Sequence, residues 1–235
     1  MLLNDHEAIE ATGETVGHPN LQKHRIDKQY RNSAFWDRVA HRYARSPIAD
    51  EASYRHKLSI TKSYFRPEMK VLEVGCGTGS TALHHAAYVK HIHAIDVSSK
   101  MVEIAQEKAE NAEVSNVTFE RASIESFLSS GERFEVVLAL SVLHLLEDRE
   151  VAFAKIYRWL QPGGVIVSST ACLGDWLQIF KLVGPIGRAM GFLPTVKVFT
   201  THQLIGSLQS TGFIVEEVWQ PGPRKAVFLI ARKPL

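Results

Sequence analysis

KVLEVGCGTGSTALHHAA, residues 70–87, is the stretch on which the reading of this chain turns. A short apolar run, Val71, Leu72 and Val74, carries one acid, Glu73, and ends in Gly75, Gly77 and Gly79 before a helix-like segment opens near Ser80. Five such positions predict a buried strand, and the glycines a tight turn at its carboxyl end. Open α/β sheets bind ligands in the crevice at such ends. A missing Cβ lets backbone amides approach a ligand and permits positive φ.

Outward from that turn, short β-like runs alternate with helical stretches. Strands are predicted at Lys70–Val74, His91–Asp96, Val117–Glu120, Phe134–Leu140 and Gly164–Thr170, with helices starting near Ser80, Ser99, Ser123 and Asp148. Ser98, Ser123 and Asp148 are plausible N-caps. Such alternation implies parallel strands with right-handed crossovers and helices on both faces. QPGG at 161–164 reads as a helix stop and turn. The last two runs, Phe213–Trp219 and Ala226–Arg232, are joined by too short a Pro-Gly-Pro link for a crossover, so they should pair antiparallel. The expected fold is an α/β, Rossmann-like, doubly wound seven-stranded sheet, mostly parallel and closed by a C-terminal antiparallel hairpin.

Residues 1–20 are polar and weakly patterned and read as a flexible arm. Over 21–66, Trp36, Val39, Ala40 and Tyr43 share one helical face, and Tyr54, Leu58, Thr61 and Phe65 a second that ends before Pro67. Residues 67–235 form the main domain, within which 171–200 is a helical insertion where Trp176, Ile179, Phe180 and Val183 share a face.

The glycine turn alone would also suit a dinucleotide. Against that, the third fingerprint position, five residues after Gly75, is Ser80, and no Gly-Lys-Ser/Thr follows for a Walker loop. Glu73 brings a negative charge to the place a pyrophosphate would take. Two unit charges about 5 Å apart interact by roughly 3 kcal/mol at an effective dielectric near 20. That sign opposes a phosphate and suits an ammonium or sulfonium. Asp96, about 20 residues past the glycines at the end of the second strand, is placed to accept from a ribose diol. A ribose, a positive centre and no phosphate describe S-adenosylmethionine.

These residues, with VLEVGCGTG, AIDVSSKMVEIAQEKA, FEVVLALSVLHLLED and WLQPGGVIV over about Val71–Thr170, resemble the class I S-adenosylmethionine-dependent methyltransferases, in particular the small-molecule group of the ubiquinone/menaquinone-biosynthesis type. The resemblance implies that Glu73, Gly75, Cys76, Gly77 and Gly79 line the methionine end of the cofactor. It places Asp96 on the ribose, Val97 and Met101 near the adenine, and Ser123 and Ile124 at the adenine edge. Relatives often carry an acid at the position of Ser123. Leu140 and Ser141 would face the methionine portion and the transferable methyl, and the N-terminal helices would form a lid.

Plainer roles stand beside these. Glu73 is also placed to cap the next helix, Cys76 to be a small turn residue, and Met101 to be core. His144, after the fourth strand, would serve as a general base or shape the pocket. His84 and His85 read as surface or packing residues. Tyr43 and Tyr54 would reach the cofactor carboxylate or acceptor, or glue the lid helices to the core. Trp36 reads foremost as packing and otherwise as part of an acceptor pocket, while Trp176 and Phe180 would line that pocket or bury a cover helix.

Composition narrows the partners. A formal charge of +2 and the absence of an Asn/Asp-Pro-Pro-aromatic signature after the fourth strand disfavour nucleic acid. No apolar run reaches membrane-spanning length, the first residues lack a signal-peptide pattern, and two cysteines, Cys76 and Cys172, make no disulfide framework. The eleven histidines show no metal-ligand spacing. The expectation is a cytoplasmic enzyme with no metal, acting on a small-molecule acceptor of apolar or aromatic character. No pattern fixes its oligomeric state. Rival readings are a nicotinamide-dependent oxidoreductase on a similar fold and a non-catalytic S-adenosylmethionine-binding regulator.

Overall fold

The computed structural model describes residues 33–177, 194 and 196–235. The expected arm over residues 1–20, Phe180 and most of the 171–200 insertion lie outside them. Helix α1 covers residues 33–45 and α2 Glu51–Ser63, followed by β1 (Lys70–Val74), α3 (Ser80–His85), β2 (His91–Asp96), α4 (Ser99–Asn111), β3 (Val117–Arg121) and β4 (Phe134–Leu140). Then come α5 (Arg149–Trp159), β5 (Leu160–Thr170), α6 (Thr201–Thr211), β6 (Ile214–Trp219) and β7 (Val227–Arg232).

The seven strands are ordered β3-β2-β1-β4-β5-β7-β6. β1 to β5 run parallel, and β7 pairs antiparallel with both β5 and β6, as the short Pro-Gly-Pro link requires. One sheet face packs Phe153 and Ile156 of α5 and Leu204 and Leu208 of α6 against Val137, Ile166 and Leu229. The other packs Ala82 of α3 and Val102 and Ala105 of α4 against Val71, Leu138 and Val167, with Ile60 of α2 alongside. Fully burying a side chain such as Phe153 or Ile156 contributes about 1.5–3 kcal/mol. Because both faces are covered, β1 reads as a nearly unbroken apolar run. Its one acid, Glu73, is 3% exposed.

Local chemistry sets the helix starts. Asp50, Ser98 and Asp148 accept from the amides of Ser53, Met101 and Val151 and cap α2, α4 and α5. Three expectations need correction. Ser123 starts no helix: its Oγ accepts from the amides of Glu125 and Ser126, and Phe127 N donates to Ser123 O, closing a single turn. Ser130 and Gly131 then take positive φ, which helical backbone excludes. QPGG does not precede β5 but lies within it as an irregularity, where the β4 register shifts between Phe134 and Val136. Gly163, at φ +76°, donates to Lys233 O, so the excursion is held by the chain's end. Finally, α6 went unpredicted although Thr200 and Gln203 form a capping box at its start.

His85 carries a cost in this core. It is fully buried against Phe65 and His84, and neither ring nitrogen has a hydrogen-bond partner. Burial, with the positive charge of His84 and Lys62 adding to it, lowers its pKa to about 3. The neutral ring's stability contribution is present above the unfolded value of 6.5 and lost as pH falls toward 3, because only the unfolded chain binds the proton there. Replacing His85 by leucine is expected to stabilise the protein by about 1–3 kcal/mol and to flatten its stability between pH 6.5 and 4. Chemical denaturation at pH 7 and pH 5 checks both.

Candidate functional site

A cavity of about 370 Å³ opens at the carboxyl ends of β1, β2 and β4, a volume in the range of small-ligand sites. Its walls hold Trp36, Tyr43, Gly75, Gly77, Asp96, Val97, Met101, Ser123, Ile124, Leu140 and Ser141 together. Residues scattered over a hundred positions converge because parallel strands all present their carboxyl ends on one side. Glu73, Cys76, Gly79, Tyr54, His144 and Trp176 are not on the wall.

The glycine turn behaves differently from the expectation. Four of its amides are bonded within the protein. Gly75 N and Cys76 N both donate to Ile95 O, at 2.8 and 3.0 Å, Gly77 N donates to Asp96 Oδ2 at 2.9 Å, and Gly79 N to Cys76 O at 3.0 Å. The glycines serve backbone conformation and close packing instead. Gly75, at φ +71°, leaves room for Val142, which a Cβ there would meet at 2.6 Å. A Cβ on Gly79 would meet Ala105 and Phe119 at 2.8 Å, so this residue seats the turn against α4 and β3 rather than lining the cleft. Cys76 is buried, and burial with the nearby acids raises its thiol pKa well above the usual range, which leaves it no nucleophile.

Lys108 braces the same turn. From the last turn of α4 its ammonium donates to Thr78 O, Thr78 Oγ1 and Ser80 Oγ at 3.1, 2.9 and 3.3 Å. Removing the charge with Lys108→Met is expected to weaken ligand binding at the cleft roughly three- to tenfold, the loss of about 1 kcal/mol of bracing, while Lys108→Arg retains more of it. Binding isotherms for the two variants test this.

Two acids define the electrostatics. Asp96 accepts from Gly77 N and, through Oδ1, from Ser98 N at 2.9 Å. The carboxylate's four lone-pair sites are not all taken by these bonds, which leaves an acceptor for a ligand in the cavity. Burial raises its pKa, and backbone bonds from Ser98, Gly77 and Val97 oppose the rise. Glu73 lies behind the turn with Oε2 buried and unpartnered. Burial first, then the charge of Asp96, raises its pKa to about 8. In the free protein near neutral pH Glu73 is therefore mostly neutral, and a cation delivered into the cleft would draw it into its charged form. An orphaned buried carboxyl oxygen beside a second acid is a place for a positive group.

The cavity's other end is apolar and flat, between Trp36 of α1, Val97, Met101 and Ile124. Asp37 holds α1 there by accepting from Ser98 Oγ at 2.6 Å and Lys100 N at 3.1 Å. Ser123 is buried with its hydroxyl spent on its own turn, while the neighbouring Glu125 stands on the rim. Met101 is both wall and core, packed with Ala40 and Ile104.

Tyr43 closes the cleft over Gly77, its ring 3.8 Å from where a Cβ would stand. Desolvation and the charge of Asp96 raise its hydroxyl pKa, so it donates hydrogen bonds at neutral pH and does not act as a base. Tyr54 instead meets Thr81 Oγ1 at 3.4 Å. His144 sits in a short 3-10 turn, Leu143–Leu145, with Nδ1 buried and unpartnered and its pKa lowered to about 4 by burial. Its neighbours Val142 and Leu145 reach the cavity wall. Trp176 is 40% exposed, in the described stretch that opens the insertion.

Sequence reasoning passed over Val142, Leu145, Leu146, Asp148 and Pro194, all on the wall. The signal was present in VLHLLED, since the loop after β4 is bound to enter the crevice. Ser141 adds a mark of its own: it is a non-glycine residue at φ +59°, held by a bond from its amide to Ser169 O at 2.7 Å. Such strain concentrates at functional sites.

Residues 71–164 match a family profile described as a methyltransferase domain. The matched stretch runs from β1 into β5 and carries the acid-glycine cleft. Among curated relatives, phosphoethanolamine N-methyltransferase 2 of Caenorhabditis elegans is 26% identical over 183 residues, 77% of this chain and 41% of that protein. The chain thus spans less than half the length of that relative. A malonyl-[acyl-carrier protein] O-methyltransferase of Paenibacillus sp. (strain JDR-2) is 24% identical over 205 residues, covering 83% of this chain and 72% of that protein. Among solved structures, the N-methyltransferase NodS of Bradyrhizobium japonicum WM9 in complex with S-adenosylhomocysteine matches 87% of this chain and 100% of its own at TM-score 0.64 and 20% identity.

Proposed function

We propose that this chain transfers a methyl group from S-adenosylmethionine to a small-molecule acceptor. The observation that carries the reading is how the cleft spends its polar groups. The amides of Gly75, Cys76, Gly77 and Gly79 are bonded within the protein, while a buried carboxyl oxygen of Glu73 waits unpaired and Asp96 faces the cavity. That distribution suits a cationic ligand with a ribose and disfavours a nicotinamide dinucleotide.

When bound, S-adenosylmethionine supplies a methyl on a positively charged sulfur, an activated leaving group for in-line transfer that yields S-adenosylhomocysteine. The protein's own part is binding and alignment. Asp96 would hold the ribose, Trp36, Val97, Met101 and Ile124 the adenine, and Glu73 the ammonium end. Tyr43 covers the cleft and excludes water. No side chain need act as a base if the acceptor arrives deprotonated; His144, neutral near pH 7, is the candidate should one be required. The curated relatives that share most of this chain's length bear methyltransferase names with N and O acceptors. The apolar wall of Leu145, Leu146, Val151 and Pro194 suits an apolar portion of the acceptor, with α1 and α2 as its cover. No helix among the described residues is long and apolar enough to cross a membrane, in keeping with the proposed cytoplasmic setting.

The test is a pair of titrations with an activity screen. S-Adenosylmethionine is expected to bind and NADH not, and incubation with a small-molecule acceptor library should release S-adenosylhomocysteine. Tight NADH binding would favour the oxidoreductase reading. Binding of S-adenosylmethionine with no turnover on any acceptor would favour the regulator.

A further inference from the structure

Beside the cleft, one residue along the sheet from its wall, lies a charged group that cofactor binding does not use. Lys57, on the face of α2 turned toward the sheet, donates from Nζ to Ser169 Oγ at 2.8 Å. Ser169 is 4% exposed and sits at the carboxyl end of β5, in register with Leu140, and its carbonyl accepts from Ser141 N at 2.7 Å. Leu140 and Ser141 are the wall of the cavity at its β4 end. The ammonium therefore stands just past the wall, where an acceptor that reaches beyond the cofactor would arrive.

The electrostatics of that spot are unbalanced. A hydroxyl is a neutral partner, and among the described residues no carboxylate lies within ion-pairing distance of Lys57. The charged groups that act on it are Asp50 and a second cation, Lys225. Asp50 is already committed: Oδ1 accepts from Ser53 N as the cap of α2, and Oδ2 from Lys225 Nζ at 3.1 Å. Two ammonium groups thus share one spent carboxylate and leave a net positive charge. Lys57 is half-buried, so it pays desolvation without a counter-ion, and burial accordingly lowers its pKa. A lysine held in this way has a use for an anion.

We propose that Lys57, presented by Ser169, binds an anionic group of the methyl acceptor, a carboxylate or a phosphate. This rests on the methyltransferase reading above and extends it. The acceptor is then amphipathic, with an apolar portion against Leu145 and Leu146 and an anionic end at Lys57. The anion would take the ammonium's free donor positions, with Lys225 adding longer-range attraction.

Inorganic phosphate, malonate and the neutral control malonamide are titrated by calorimetry into wild type, Lys57→Met and Lys57→Arg. Each titration is run on the free protein and again with S-adenosylhomocysteine present. Methionine keeps the packing of the lysine stem, and thermal denaturation of each variant reports folding. The expected result is that wild type and K57R bind at least one of the two anions and not malonamide, while K57M binds that anion at least tenfold more weakly and holds S-adenosylhomocysteine as wild type does. Preference for phosphate or for malonate separates the two anion chemistries. Absence of anion binding to wild type, or equal binding by folded K57M, overturns the proposal. Failure of S-adenosylhomocysteine to bind would count against the methyltransferase reading, while the titrations on free protein would still report on Lys57.

Discussion

Replacing Asp96 by alanine is expected to weaken S-adenosylmethionine binding at least about 100-fold. Asp96 both shapes the glycine turn and faces the cavity. Its Oδ2 fixes Gly77 and its Oδ1 fixes Ser98 at the start of α4. A ribose diol would add two hydrogen bonds to a charged acceptor, each contributing about 1.5–3 kcal/mol, and every 1.4 kcal/mol is about tenfold in affinity. Asp96→Asn, which keeps one acceptor oxygen but loses the charge, should fall between. Calorimetry reads both, and a loss below tenfold for D96A would mean that the ribose is held elsewhere.

Replacing Glu73 by glutamine should separate stability from function. The folded-state pKa of about 8 lies above the ordinary carboxylate value of 4.5, so between those values the folded protein holds a proton that the unfolded chain has released. Stability from this group is complete below pH 4.5 and lost as pH rises through 8. Glutamine carries no titration, so E73Q is expected to be more stable than wild type at pH 8, by on the order of 1–3 kcal/mol, with little difference near pH 5. Cofactor affinity moves the other way. A bound ammonium favours ionised Glu73, so wild-type binding should release up to one proton at pH 7 and strengthen as pH rises from 6 to 8. E73Q should bind more weakly and release none. Calorimetry in buffers of different ionisation enthalpy counts the protons. Equal proton release by wild type and E73Q would remove Glu73 from the linkage.

Much of the fold was legible because its signals are local. Lys70–Val74, His91–Asp96 and Phe134–Leu140 are apolar runs flanked by breakers, and the structure reproduces those three strands residue for residue. The antiparallel hairpin followed from a link too short for anything else. Where local signals compete, the reading failed. Ser123 offers a good cap, but Ser129, Ser130 and Gly131 cannot continue a helix, and Phe127 is drawn into the core beside His93 and Trp159. The capping box at Thr200 was legible and went unread.

At the site, the sequence named the residues around the cleft better than their tasks. That Gly75, Gly77 and Asp96 meet is implied by strand order. That the turn's amides point into the protein depends on Ile95 O and Asp96 Oδ2, partners that come from another strand. Protonation of Glu73 depends on burial, which no motif records. Nor does sequence spacing bring Lys57 to Ser169, 112 positions away, since that contact exists only once α2 lies across the sheet.

A crystal structure with S-adenosylhomocysteine would test the central claim most directly. The account predicts both ribose hydroxyls on Asp96, the adenine between Trp36 and Ile124, and the ammonium directed, with or without an intervening water, at Glu73 Oε2. A ligand seated with its sugar away from Asp96, or a dinucleotide whose diphosphate displaces the turn amides from Ile95 and Asp96, would contradict it.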